Sequence, residues 1–211
     1  MKNLGLSSNT YQKLYDECTY KKVGGFANEK IVRLDQALEL KKDSKCQIWI
    51  DFKGYCRSLV EETMKMLAKY EISHDRVMVA TWNVYALKYM QKNYPDVRRV
   101  LHVNVFSRPQ IPCMLSFTKS ATTPETVMSE ILKIGKELEL YGFNMPIISK
   151  FYKKEWIKQL KDEGYWVSLW FVQNAEMAKK AFEAHPDAVV TDNIKVVKPV
   201  IRAAEQSLFF F

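Results

Sequence analysis

At 211 residues, with 47% hydrophobic and 27% charged positions, the chain suits one domain of ordinary size with a real core and is too apolar for a disordered tail. The formal charge of +8 favours anions such as phosphates as partners. The bases nevertheless fall in scattered pairs (Lys21-Lys22, Lys41-Lys42, Arg98-Arg99, Lys153-Lys154, Lys179-Lys180), as on solvated helix faces. No nucleic-acid-binding motif accompanies them, so no nucleic-acid partner is expected.

The first residues lack the apolar run of a signal peptide, and no stretch is long and apolar enough to span a bilayer. Four cysteines, Cys18, Cys46, Cys56 and Cys113, form no CxxC pair and no zinc-like spacing with His74, His102 or His185. They read as free, mostly buried thiols in a reducing, cytoplasmic setting.

Residues 1–32 read as an irregular segment, with a short helix near Tyr11–Asp16 and a Gly24-Gly25 turn. Residues 33–207 read as a single β/α domain. Leu34, Ala37, Leu38 and Leu40 have helical spacing, and residues 47–52 follow as an apolar strand buried on both faces. A helix from Ser58 to Lys69 carries Leu59, Met64, Met66, Leu67 and Tyr70 as its apolar positions. Arg76–Trp82 is a second strand, Val84–Asn93 a helix stopped before Pro95, and Val97–Val105 a third strand.

A loop rich in Ser, Pro and Thr runs from Ser107 to Thr123. Thr123-Pro124-Glu125 then opens a helix with a capping hydroxyl, a proline at its first position and an acid in its first turn. Phe143–Ile148 is a fourth strand, Tyr152–Lys161 a helix closed by Gly164, Tyr165–Phe171 a fifth strand, and Ala175–Ala184 a helix. Ala188–Thr191 is the sixth strand. The last helix spans Ile194 to Glu205, with Pro199 as a kink or weak point, and Leu208–Phe211 packs on the body or frays.

Six strand–helix repeats mean a parallel sheet with covering helices, either an open doubly wound sheet or a (β/α) barrel lacking two units. Periodicity does not choose between them. No glycine-rich phosphate loop follows any strand, which weighs against a nucleotide-binding domain. The stretch with most chemistry is Gln47–Gly54. Asp51 and Lys53, two residues apart, point to the same side at the carboxyl end of a strand, where parallel folds bind ligands. An internal ion pair is the plainer alternative.

Three stretches in order resemble the glycerophosphodiester phosphodiesterase family. Leu34–Leu40 followed by Trp49-Ile50-Asp51-Phe52-Lys53 looks like its leucine-rich helix and acidic-x-Lys strand. Val77–Asn83 is similar to its fourth barrel strand, and Gly164–Val172 with Pro186–Asp192 to its closing strands. The resemblance covers residues 30–195 and implies a TIM barrel, incomplete here because its first two strands are absent. It implies phosphoric diester hydrolysis on glycerophosphodiesters or lysophospholipids, with a divalent metal, Ca or Mg, at an incomplete site. It assigns Asp51 as a metal ligand, where the family more often has Glu, and Lys53 as the catalytic, phosphate-binding lysine. Trp170, Thr81 and Trp82 then line the substrate side, with plain core packing the alternative for each.

The family's His-Arg-Gly strand end, its pair of acidic ligands and its inserted His-Asp have no match before Asp51. His74-Asp75 lies on the face opposite the chemistry and receives no role. His102 and Asn104 face the mouth without a family pattern behind them, His185 is a surface loop residue, and Asp192 caps the last helix. The expectation is therefore a truncated or catalytically impaired phosphodiesterase. The alternative is a degenerate barrel that binds an anionic phosphate ligand or a partner protein. The open flanks of the first and last strands are to be covered by residues 1–32 or the terminal phenylalanines, or to drive self-association.

Overall fold

The computed structural model describes residues 30–103, 124–147 and 153–207. The expected helix at Tyr11–Asp16, the Gly24-Gly25 turn, the 107–123 loop, Asn104, the Thr123 cap and the terminal phenylalanines all lie outside the described residues. Two compact units are present: residues 1–46 with 63–72, and residues 47–62 with 73–211.

In the first unit, helix α1 (Leu34–Glu39) opens where the Arg33 N–H donates to Gln36 Oε1 at 2.9 Å. Asp35 sits in its first turn, where the helix dipole favours an acid. Leu38, Met64, Leu67 and Ile72 are this unit's buried apolar anchors among the described residues.

The second unit contains one six-stranded parallel sheet in the order of the sequence: β1 (Ile48–Phe52), β2 (Val77–Thr81), β3 (Arg98–His102), β4 (Gly142–Pro146), β5 (Trp166–Trp170) and β6 (Ala188–Val189). A doubly wound sheet reverses its strand order at a switch point, and this one never does. The strands curl as a half-barrel of the TIM type, which settles the choice that periodicity left open. The intervening helices are α2 (Arg57–Lys69), α3 (Val84–Asn93), α4 (Pro124–Glu137), α5 (Lys154–Asp162), α6 (Ala175–Glu183) and α7 (Ile194–Ser207).

Period-two alternation divides the sheet into faces. Leu101, Phe143, Val167 and Leu169 face the helices and form the main core with Leu87, Ile131, Ile157, Leu160 and Ala181. Met78, Ala80 and Val100 form a smaller cluster on the other face, with Trp49 and Trp166 packed against it. Gly142 lets β4 and β5 close, because a Cβ there would meet the Trp166 carbonyl oxygen at 2.0 Å. Helix starts are capped as their sequences suggest: Asn83 Oδ1 accepts from the Tyr85 and Ala86 N–H groups, and Asn174 Oδ1 from that of Met177. Gly164, at φ +87°, reverses the chain between α5 and β5.

Several expectations need correction. β1 is only partly buried and Asp51 is exposed, since among the described residues this strand pairs with β2 alone and forms an edge. On α2 the helical turn buries Val60 and exposes Leu59. Cys46 and Cys56 are exposed thiols, not buried ones, because each lies beside a strand or helix end and not within it. Pro199 lies inside helix α7, as the expected span had it. The helix starts at Ile194, so Asn193 takes the capping position and Asp192 instead accepts from Gln173 Nε2 at 3.1 Å.

Candidate functional site at the carboxyl ends of the strands

Asp51 is the next-to-last residue of β1, and Lys53 follows the strand end. Their shared direction brings Lys53 Nζ to 2.6 Å from Asp51 Oδ2, so the pair anticipated as the plain alternative is present. The ammonium also lies over the Trp82 ring, 4.5 Å from its centroid.

The residue that sequence reasoning undervalued is His102, the last residue of β3. It is only 5% exposed, and its Nε2 lies 3.2 Å from Asp51 Oδ1. The approach is close, but Nε2 has no aligned hydrogen-bond partner. On β2, between the two strands, the fully buried Ala80 pairs with Asp51 on one side and Val100 on the other.

Sheet register builds the support behind the ring. His102 is paired with Asn144, and Asn144 with Ser168. Ser168 Oγ donates to Asn144 Oδ1 at 2.7 Å, and Asn144 Nδ2 lies 2.8 Å from His102 Nδ1. With the amide oxygen taken by the serine, the amide NH2 faces Nδ1, which leaves Nε2 as the ring nitrogen free to donate toward the mouth. The detectable signal was three polar residues among apolar strand neighbours: His102 at the carboxyl end of β3, Asn144 in the middle of β4 and Ser168 in the middle of β5.

Aromatic rings enclose the histidine. Centroids of Trp49, Trp82 and Trp170 lie 6.3, 5.2 and 6.5 Å from that of His102. Trp170 is half-buried and donates from Nε1 to the Asn144 carbonyl at 3.0 Å, which fixes its plane at the mouth. Trp82 is also half-buried. Thr81 is fully buried, and its hydroxyl donates to the Phe52 carbonyl at 2.8 Å and accepts from the Asn83 N–H at 3.0 Å. It therefore ties β1 to the turn after β2, and its side chain belongs to the packing alternative.

Burial pushes the Asp51 carboxyl up, but the neighbouring His102 and Lys53 nitrogens pull it down further, and it stays below the ordinary carboxylate range. Both its oxygens already face nitrogen, and among the described residues no three His, Cys, Asp or Glu side chains converge to hold a cation. A hard divalent cation takes about six oxygen ligands. The described donor set does not fit one.

The other singled-out residues lie elsewhere. His74 pairs with Asp96 at 2.6 Å, before the amino ends of β2 and β3, and His185 is an exposed residue at φ +51°. A groove of about 780 Å³ lined by Met128, Leu132, Lys136, Lys153 and Trp156 of α4, α5 and their flank contains none of the mouth residues.

The family model of the glycerophosphoryl diester phosphodiesterases matches residues 5–196. A glycerophosphodiester phosphodiesterase from Parabacteroides distasonis superposes with a TM-score of 0.68 at 17% identity, covering 94% of this chain and 73% of that one. A second protein of this kind from the same organism gives 0.63 at 14% identity, over 94% and 65%. An Oleispira antarctica phosphodiesterase, solved in complex with the product sn-glycerol-3-phosphate, gives 0.62 at 17% identity, over 84% and 64%. At such identities the likeness shows the fold, and this chain spans about two thirds to three quarters of each of those proteins. No curated protein matches the sequence. The extent of the family match carries the assignment: this chain belongs to the glycerophosphoryl diester phosphodiesterase family.

Proposed function

We propose that the mouth binds the phosphate of a glycerophosphodiester or lysophospholipid, and that this chain by itself holds the ester without cleaving it. The observation that carries this is convergence. Lys53 Nζ from the end of β1 and His102 Nε2 from the end of β3 reach the same small space, 2.6 and 3.2 Å from the two oxygens of one carboxylate. The ammonium would meet phosphate charge and the imidazole Nε2–H would donate to a second oxygen. Trp82 and Trp170, both half-buried, would wall the alcohol portion.

Family members act on small glycerophosphodiesters and generally use a divalent metal. Cleavage needs cations preplaced where charge builds on the phosphate oxygens, a proton donor for the leaving alkoxide, and a base to activate water. At this mouth Lys53 meets the first need and His102 the second. The one carboxylate there is already paired with Lys53, so the third goes unmet among the described residues. The exposed thiols of Cys46 and Cys56 fit a reducing, cytoplasmic setting. Strands β1 and β6 each pair on one side only among the described residues, which favours association of copies through those edges.

Incubation of the purified chain with glycerophosphodiesters and Ca²⁺ or Mg²⁺ tests the catalytic half. No release of glycerol phosphate is expected. Turnover that survives stringent purification and disappears in Lys53→Ala would show that the chain is a competent enzyme.

A further inference from the structure

The space between Lys53 and His102 is already filled by an anion, and that anion belongs to the protein. Asp51 places Oδ2 against Lys53 Nζ and Oδ1 beside His102 Nε2, as two oxygens of a bound phosphate would lie against the same donors. His102 is 95% buried, its Nδ1 side is committed to Asn144, and its Nε2 has no aligned partner. A buried donor left without an aligned acceptor is costly, so an acceptor that fits better would be favoured there. The carboxylate is the poorer fit because it is tethered to β1 two residues from the lysine that it pairs with.

We propose that Asp51 is an internal competing anion in a phosphate site formed by Lys53 and His102. The ligand, a phosphate mono- or diester, enters by displacing the Asp51 side chain toward solvent, which already reaches 31% of it. Asp51 thus sets the affinity of the site against the ligand, and is not itself a ligand contact. The inference rests on the phosphate-binding reading above and goes beyond it by giving Asp51 the opposite role from Lys53.

The test is calorimetric titration of the full chain and its variants with inorganic phosphate and with sn-glycerol 3-phosphate, in the absence of divalent cations. Asp51→Asn keeps the side-chain shape and removes the competing charge, and it should bind both about tenfold more tightly than the wild type. Asp51→Ser should show the same direction, which guards against a fold-specific failure of the first variant. Adding Lys53→Ala to Asp51→Asn should abolish the gain. Adding His102→Phe, which keeps an aromatic ring and removes the donor, should reduce it.

If Lys53→Ala loses binding while Asp51→Asn gains nothing, the site binds phosphate but Asp51 does not compete, and the inference falls while the broader reading stands. If neither ligand binds any variant, both fall together. If wild-type binding tightens with added Ca²⁺ and Asp51→Asn loses that response, Asp51 is a cation ligand and the inference is overturned.

Discussion

The two ends of the sheet carry the same pair of residue types and use them differently. Before the amino ends of β2 and β3, His74 and Asp96 meet at 2.6 Å, with 31% and 65% of their side chains exposed. At the carboxyl ends, His102 and Asp51 approach to 3.2 Å with only 5% and 31% exposed. The first pair sits in water, where its attraction is screened and contributes little. The second lies among three tryptophans, where an unmatched donor or charge is costly and a matched ligand is strongly held. A histidine–aspartate pair gains chemical meaning here from burial and from the polar groups behind it, not from proximity.

The largest effect should come from the structural end, without touching binding. Arg99 is 4% exposed and donates to the carbonyls of Pro95, Val97 and Glu139 at 2.9 to 3.1 Å. Arg99→Ala should cost about 2–4 kcal/mol in denaturant unfolding by stranding those carbonyls, while phosphate affinity of the folded fraction stays unchanged. Loss of affinity would mean that the two ends are coupled.

His102→Phe should show both effects. Leaving the Asn144 amide without its acceptor should cost about 1–3 kcal/mol of stability, and phosphate binding should weaken as well. Unchanged binding would reduce His102 to core packing.

Acid should distinguish the mouth from the surface. The Asp51 carboxyl is held below its ordinary range, so the stability it contributes is present above the unfolded value and is lost as the pH falls through the folded one. The stability gap between wild type and Asp51→Asn should therefore shrink as the pH falls through and below the ordinary carboxylate range. A constant gap would show that the charge of Asp51 does not matter. The smallest effect is expected for His74→Ala, below about 1 kcal/mol and with no change in binding.

The parallel βα order, five of the six strands to within two residues at either end, and the direction of Asp51 and Lys53 were legible in the sequence. Alternation and helix period report which face a side chain takes, and those faces repeat locally. The His102–Asn144–Ser168 chain was not legible, because it depends on the register of three strands that are far apart in the sequence. A polar residue in an apolar strand announces that something unusual is present but not what it meets. The open edge of β1 was expected from the two absent strands, but its apolar composition also fits burial on both faces, and only the structure shows that the strand is partly buried, with one neighbour among the described residues.

The central claim is that a defined pair of donors at the mouth, and not the net positive charge of the chain, holds a phosphate ester. Titration with sn-glycerol 3-phosphate of the wild type, Lys53→Ala and Lys154→Ala tests it most directly, since Lys154 is an exposed lysine at the start of α5. Loss of most binding in Lys53→Ala with little change in Lys154→Ala is the predicted result; equal losses in both would show that only diffuse charge is at work and would contradict the account.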